Sequence, residues 1–276
     1  MHILICSDDS PAAEQAANLV TLLNFPSEME VTLLAVSESE SDQNKLMTSL
    51  NRLKDSLGGA RPGINLLIRH GHPAEQILTE ASSHVYDLVA VGIGEHHRSL
   101  LHLRSDTTLN KLARDLHIPL LLARNVPEHL DSILFCTSAE NTSLDTLRLG
   151  GKIISYLPAR VGLVHVMSQL ALRLDSMSED LMDTAETAMQ RQTREGLHLK
   201  EGIQTLREAG VSSEILPRLR HGLVLNQVLT EIEDGHYDLL VIGTHFRPGL
   251  DRWMEVLLDD VTSQLLTQSP CSVLVA

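Results

Sequence analysis

Few side chains in this sequence are placed to do chemistry, and most of those are acids or imidazoles. Asp8-Asp9-Ser10 follows directly on the apolar run Ile3-Leu4-Ile5-Cys6. A carboxylate released at the end of such a run could accept hydrogen bonds from a ligand. A second acidic pair, Asp259-Asp260, comes late in the chain. It reads as plain helix capping, in preference to a site closed to anions or turned toward a cation. Of the 14 histidines, His70, His72, His96, His97 and His102 fall close together. Imidazole titrates near pH 6.5, so metal binding or proton sensing is available to them. No His-x3-His pair stands with Cys or a carboxylate in a ligand pattern, however, and solvated loop histidines are the favoured reading. Cys6, Cys136 and Cys271 are too few and too scattered for a disulfide framework, and Cys6 and Cys136 lie inside apolar runs as small buried hydrophobes. There is no Gly-x-Ser-x-Gly elbow. Ser7 and Ser10 flank Asp8, but Ser10 followed by Pro11 is first a helix start. No catalytic residue and no metal site is assigned.

The elements that carry these residues come twice. Ile3-Leu4-Ile5-Cys6 recurs as Ile133-Leu134-Phe135-Cys136, and Leu33-Leu34-Ala35-Val36 as Leu163-Val164-His165-Val166. Arg69-His70-Gly71 recurs as Arg220-His221-Gly222, and Tyr86-Asp87-Leu88-Val89-Ala90-Val91-Gly92 as Tyr237-Asp238-Leu239-Leu240-Val241-Ile242-Gly243. The offset grows between the second and third runs, where Ser168–Gly210 is much longer than Ser37–Gly59. Ordered matches with one localised insertion indicate a duplication. The copies divide the chain into domains at 1–127 and 128–276.

Each apolar run is short, rich in Val, Ile and Leu, and does not alternate with polar residues. That is the pattern of a strand buried on both faces of a parallel sheet. Helical spacing lies between the runs: Ala13, Ala16, Ala17, Val20 and Leu23 after Ser10-Pro11, then Ile77, Leu78 and Ala81 after His72-Pro73. Strand alternating with helix gives right-handed βαβ units and an α/β, doubly wound parallel sheet. Five strands are expected per copy, near 2–7, 31–36, 64–69, 87–92 and 119–123, and near 132–137, 161–166, 212–218, 238–243 and 272–276. The stretch Met177–Leu206, with Leu181, Met182, Ala185, Ala188 and Met189 at helical spacing, reads as a helix covering its own sheet, with partner binding as the lesser reading. Ligands of such sheets bind beyond the carboxyl ends of strands where the strand order reverses. That points to Asp8 and Gly92 in the first copy, and to Ser138 and Gly243 in the second.

The segments Gly71-His72-Pro73-Ala74-Glu75-Gln76-Ile77, Asp238 to Leu250 and Ser269-Pro270-Cys271-Ser272-Val273-Leu274-Val275 resemble the universal stress proteins of the UspA family, in their tandem two-domain form. The resemblance covers nearly the whole chain. It implies two five-stranded domains of the adenine nucleotide alpha hydrolase-like kind, paired through their last strands within one chain, with a homodimer as a further option. Many family members bind ATP with an acid after the first strand and a Gly-x-x-Gly, nine residues, Gly-Ser/Thr loop, whose glycines admit backbone N–H groups to the phosphates. Here the first copy keeps Asp8 and Gly92, but Glu95 stands at the second glycine and Ser105-Asp106 at the Gly-Ser/Thr place. In the second copy Thr137-Ser138-Ala139 replaces the acid, Phe246 stands at the second glycine, and Leu258-Asp259-Asp260-Val261 occupies the end of a lengthened loop. Carboxylates there repel phosphate by about 1 kcal/mol each at an intermediate dielectric.

Composition narrows the function classes. The net charge is −14, with no basic block, which disfavours nucleic acid and anionic lipid. No apolar run approaches the ~20 residues of a membrane span. No secretory signal is recognised at Met1-His2-Ile3, and the cytoplasm is the expected compartment. The resulting expectation is a non-enzymatic stress-response protein acting through protein contacts, with degenerate nucleotide sites and no cofactor. The alternative is a switch that binds ATP in the first domain only, through Asp8, Val36, Gly92 and Ser105.

Overall fold

The structure is a computed structural model that describes residues 1–8, 10–25, 29–37, 43–58, 63–94, 102–138, 142–167, 184–243 and 261–276. Glu95, His96, His97, Phe246, Arg247 to Leu250 and Asp259-Asp260 lie outside the described residues, as do the side chains of His102 and Ser105. The chain divides into two compact units, Met1–Val126 with Ser272–Leu274, and Pro127–Cys271 with Val275–Ala276.

The first unit runs β1 (His2–Ser7), α1 (Pro11–Leu22), β2 (Glu30–Ser37), α2 (Gln43–Ser56), β3 (Ile64–His70), α3 (Pro73–Ser83), β4 (Leu88–Gly92), α4 (His102–Asp115) and β5 (Leu120–Ala123). Its strand order is β3-β2-β1-β4-β5, all parallel. The order reverses at β1, which pairs with β2 on one side and β4 on the other. Ile3, Leu4 and Ile5 are consecutive and all fully buried, as are Leu33 and Leu34. Helices covering both faces of the sheet account for that absence of alternation. Helix α1 starts as its sequence dictates. Ser10 is the N-cap in extended conformation, its hydroxyl accepts from the Ala12 N–H, and Pro11 takes the first helical position. Its buried face is mostly alanine (Ala12, Ala13, Ala16, Ala17), which lets the helix lie close against the strands.

The second unit runs β6 (Ser132–Thr137), α5 (Thr142–Ile154), β7 (Arg160–Met167), α6 (Ala185–Arg191), α7 (Arg194–Glu208), β8 (Ile215–His221), α8 (Val224–Gly235) and β9 (Leu239–Ile242), with helical residues 261–268 after it; β10 (Ser272–Val275) follows in the chain, Ser272–Leu274 grouping with the first unit. Strands β9-β6-β7-β8 are ordered and paired in parallel, the same winding as in the first unit. The Ala276 N–H donates to the Ile242 carbonyl at 2.9 Å, and the Thr146 hydroxyl donates to the Ala276 carbonyl at 3.1 Å.

Two expectations are corrected. Strand β8 begins at Ile215 and ends at His221, three residues later than its apolar pattern suggests. Its register is set by β7, with Val161 opposite Ile215 and Met167 opposite His221. Pro217 sits inside β8, which is tolerable because among the described residues the strand has a neighbour on one side only. Of the stripe through Met177–Leu206, residues 177–183, Leu181 and Met182 among them, lie outside the described residues, and the described remainder is not one helix. Gln192 adopts a left-handed conformation (φ 58°), and Thr193 caps a new helix by accepting from the Gly196 N–H. A side chain at Gly196 would place its Cβ 2.1 Å from the Ala188 carbonyl oxygen, so α6 and α7 meet at a contact only glycine permits. Ala185 and Ala188 are buried, and so are Leu199 and Leu206.

The repeated Arg, Glu and Tyr positions form the same polar staple in both units. In the first, Glu80 is 2% exposed, accepts from Arg69 and from the Tyr86 hydroxyl (2.8 Å), and meets His84 Nδ1 at 3.0 Å. Burial pushes the Glu80 carboxyl up, but the hydrogen bonds from Arg69 and Tyr86 and the Arg69 charge outweigh it, holding the group below the ordinary carboxylate range. Burial, with the Glu80 carboxylate alongside, pushes Tyr86 up to about 12. In the second unit, Glu231 accepts from Arg220 Nε at 2.5 Å and from the Tyr237 hydroxyl at 3.4 Å. Beside each tyrosine, an aspartate closes the first strand: Asp87 accepts from the His2 N–H, and Asp238 from the N–H groups of Asp131 and Ser132. The repeated Tyr-Asp pair therefore secures the sheet.

Candidate functional site

The carboxyl ends of β1, β2 and β4 carry three of the residues picked out in the first unit. Val36 lies near the end of β2, opposite Arg69 of β3. Gly92 closes β4, opposite Ala123 of β5. Asp8 follows β1 and is exposed. The topology thus gathers Asp8, Val36 and Gly92 on one edge of three adjoining strands, at the point where strand order reverses. Ser105 falls within α4.

Local geometry supplies a structural reason for two of them. Asp8 Oδ1 accepts from both the N–H (3.1 Å) and the hydroxyl of Ser10. That closes an Asx-type turn which orients Ser10 to cap α1. Gly92 passes so near the start of α1 that a Cβ would sit 1.7 Å from the Ala12 carbonyl oxygen. Any side chain there would force β4 and α1 apart. The glycine that suggests a phosphate cradle is demanded by strand–helix packing alone.

At the corresponding edge of the second unit lies an open cleft lined by Thr137, Ser138, Ser143, Thr146, Gly243 and Thr262, with Cys136 and aliphatic side chains behind them. Its described walls offer hydroxyls and hydrocarbon, with no cationic or anionic side chain. A neutral wall of this kind suits a ligand that donates and accepts hydrogen bonds, whereas a polyphosphate needs converging N–H groups or cations. Cys136 is half-buried, and burial pushes its thiol far above the ordinary range. Cys6 is raised by burial in the same way.

Two histidines that sequence reasoning passed over lie behind this cleft. His165 of β7 is 6% exposed and His198 of α7 is 9% exposed. His198 Nε2 lies 2.6 Å from the Thr137 hydroxyl and 3.4 Å from that of Ser143. The Ser143 hydroxyl donates to the Ser138 carbonyl at 2.7 Å, and the two hydroxyls stand 2.9 Å apart. His165 Nδ1 lies 3.0 Å from the Thr137 carbonyl, and the two rings meet edge-on with centroids 5.8 Å apart. Burial lowers both imidazoles below the ordinary histidine range, and the nearby His165 lowers His198 further. A signal was present in the sequence: His165 interrupts an apolar run whose first copy has Ala35. The histidines that drew attention lie elsewhere. His70 ends β3 and His72 precedes α3, both exposed, and no cluster of three metal-ligating groups occurs among the described residues.

The sequence profile of the Universal stress protein family matches residues 129–276. A universal stress protein from Archaeoglobus fulgidus superposes with a TM-score of 0.70 at 14% identity, over 100% of this chain and 95% of that one. A putative universal stress protein from Pseudomonas aeruginosa superposes at 0.65 with 17% identity, over 99% and 92%. These likenesses span both copies and show the shared fold. Comparison with curated protein sequences gives no match.

Proposed function

The chain belongs to the universal stress protein family, and on that premise we propose that it serves a stress response through contacts with other proteins, catalyses no reaction, and has lost the family's grip on nucleotide phosphates in both copies. The neutral, hydroxyl-rich wall of the second unit's cleft carries this reading. Thr137 and Ser138 stand where the family's acid would be, and no described cation faces the cleft. In the first unit the Asp8 carboxylate is engaged by Ser10, and Gly92 has its packing reason in Ala12. Glu95 and Asp106 in the phosphate loop positions add negative charge where a phosphate would come. No helix among the described residues is long and apolar enough to cross a membrane, and the net charge of −14 disfavours anionic surfaces.

The test is the nucleotide content of the purified protein. Acid extraction and chromatography should yield far less than one adenine nucleotide per chain. A stoichiometric amount would overturn the reading. The second reading, a switch that binds ATP in the first unit only, draws on the gathering of exposed Asp8 with Val36 and Gly92 at one sheet edge. It would be favoured if the nucleotide recovered were lost with Asp8→Ala and kept with Thr137→Ala.

A further inference from the structure

We propose that His165 and His198 form an acid-sensitive latch that holds α7 against the carboxyl ends of β6 and β7. A carbonyl oxygen only accepts, so His165 carries its proton on Nδ1 and donates to the Thr137 carbonyl. The Ser143 hydroxyl is directed to the Ser138 carbonyl, and the Thr137 hydroxyl lies 2.6 Å from His198 Nε2 and 3.3 Å from the Ser138 carbonyl, so it meets the ring either as donor or as acceptor. Every one of these bonds is made with both rings neutral. A proton arriving on His198 makes both ring nitrogens donors and fixes the Thr137 hydroxyl as an acceptor, its own proton turned to the Ser138 carbonyl. It also puts a charge in a buried corner, beside a second ring at 5.8 Å.

The surroundings do little to accept that charge. Facing His165 are Glu195 and Arg194 of α7 and His221 of β8; facing His198 are His165, Glu201 and Arg194. The two acids favour protonation and the arginine and neighbouring histidines oppose it. Glu195 is half-buried and Glu201 exposed, so water screens both.

The first copy shows that the fold does not require this cluster. By the repeat alignment, Ala35 stands at the place of His165 and Ala13 at that of Ser143, both buried. The second copy has filled an apolar corner with polar, titratable groups, and has hung on them the helix that follows its longer connection. The physical consequence has a definite sign. With α7 detached, His198 on the helix and His165 on β7 are both ordinary histidines near pH 6.5, while the docked pair is held lower. Docking is therefore at full strength above pH 6.5 and weakens as the pH falls through the lowered values. With two protons taken up on release, the released fraction rises by up to about 100-fold per pH unit within that window. Because Thr137 and Ser143 also line the cleft, release of α7 changes the hydrogen bonds its wall offers. The latch stands whatever the cleft binds.

Amide hydrogen exchange on the full chain, corrected for intrinsic pH dependence, tests this. Protection of 194–208 should drop at least tenfold between pH 7.5 and 5.5, while β1 and β4 of the first unit hold theirs. His165→Ala with His198→Gln, which keeps a hydrogen-bonding side chain near Thr137 without its titration, should abolish the response. An unchanged acid response in that variant, or none in the parent, overturns the latch. Should the double variant fail to fold, NMR titration of the two imidazoles in the parent decides: midpoints below 6.5 support the latch, and midpoints at or above it overturn it.

Discussion

Gly92 and Glu80 show how a residue can attract a functional reading while doing structural work. A Cβ at Gly92 would meet the Ala12 carbonyl oxygen at 1.7 Å. Gly92→Ala should therefore cost about 3 kcal/mol or more, read from the urea midpoint, whether or not any ligand is present. Removing the Glu80 carboxylate leaves Arg69 and Tyr86 without their partner. Glu80→Ala should cost about 3 kcal/mol by the same measurement. Because the Glu80 carboxyl lies below its ordinary value of 4.5, its contribution is present above pH 4.5 and is lost as the pH falls through the lowered value. Glu80→Gln should flatten that part of the acid denaturation curve. The sequence exposed the repeated Arg and Tyr-Asp positions as matches between copies, but not their partners. Glu80 and Glu231 are each one polar residue among several on amphipathic helices, and only the folded chain brings them under the tyrosines. His165 was visible as a polar break in an apolar run; His198 was not, because its hydrogen-bond partners Thr137 and Ser143 lie 61 and 55 residues away on other elements.

Strands and helix starts were legible because their causes are local. Runs of unbroken aliphatics gave the parallel strands, and Ser10-Pro11 gave the start of α1. The break between α6 and α7 was missed because the apolar spacing continues on both sides of it. What ends α6 is the left-handed Gln192 and the Thr193 cap, which compete with simple helix continuation. Thr193→Ala should cost about 1 kcal/mol, seen as lowered exchange protection in the first turn of α7. Gly196→Ala should separate the two helices at Ala188 and lower the melting temperature well beyond that of Thr193→Ala. The late start of β8 was hidden for a related reason. Pairing with β7 decides which residues join the ladder, and the apolar pattern is silent on it.

The chain as a whole is a duplication whose halves have diverged at the same place in the fold. Both units wind their strands in the same order, both staple a buried glutamate to arginine and tyrosine, and the family profile matches 129–276. The edge where strand order reverses is where they part. One copy presents Asp8 held by Ser10; the other presents a cleft whose described lining is neutral, backed by two buried histidines. Fold and family were open to sequence reasoning because they rest on many ordered matches. The character of each site rests on a handful of side chains whose neighbours come from distant elements. The loss of phosphate binding in both copies is the central claim, and calorimetric titration of ATP into the full chain, with Asp8→Ala alongside, tests it most directly. No binding heat is expected up to millimolar ATP in either protein. Micromolar binding by the parent, abolished in Asp8→Ala, would contradict it.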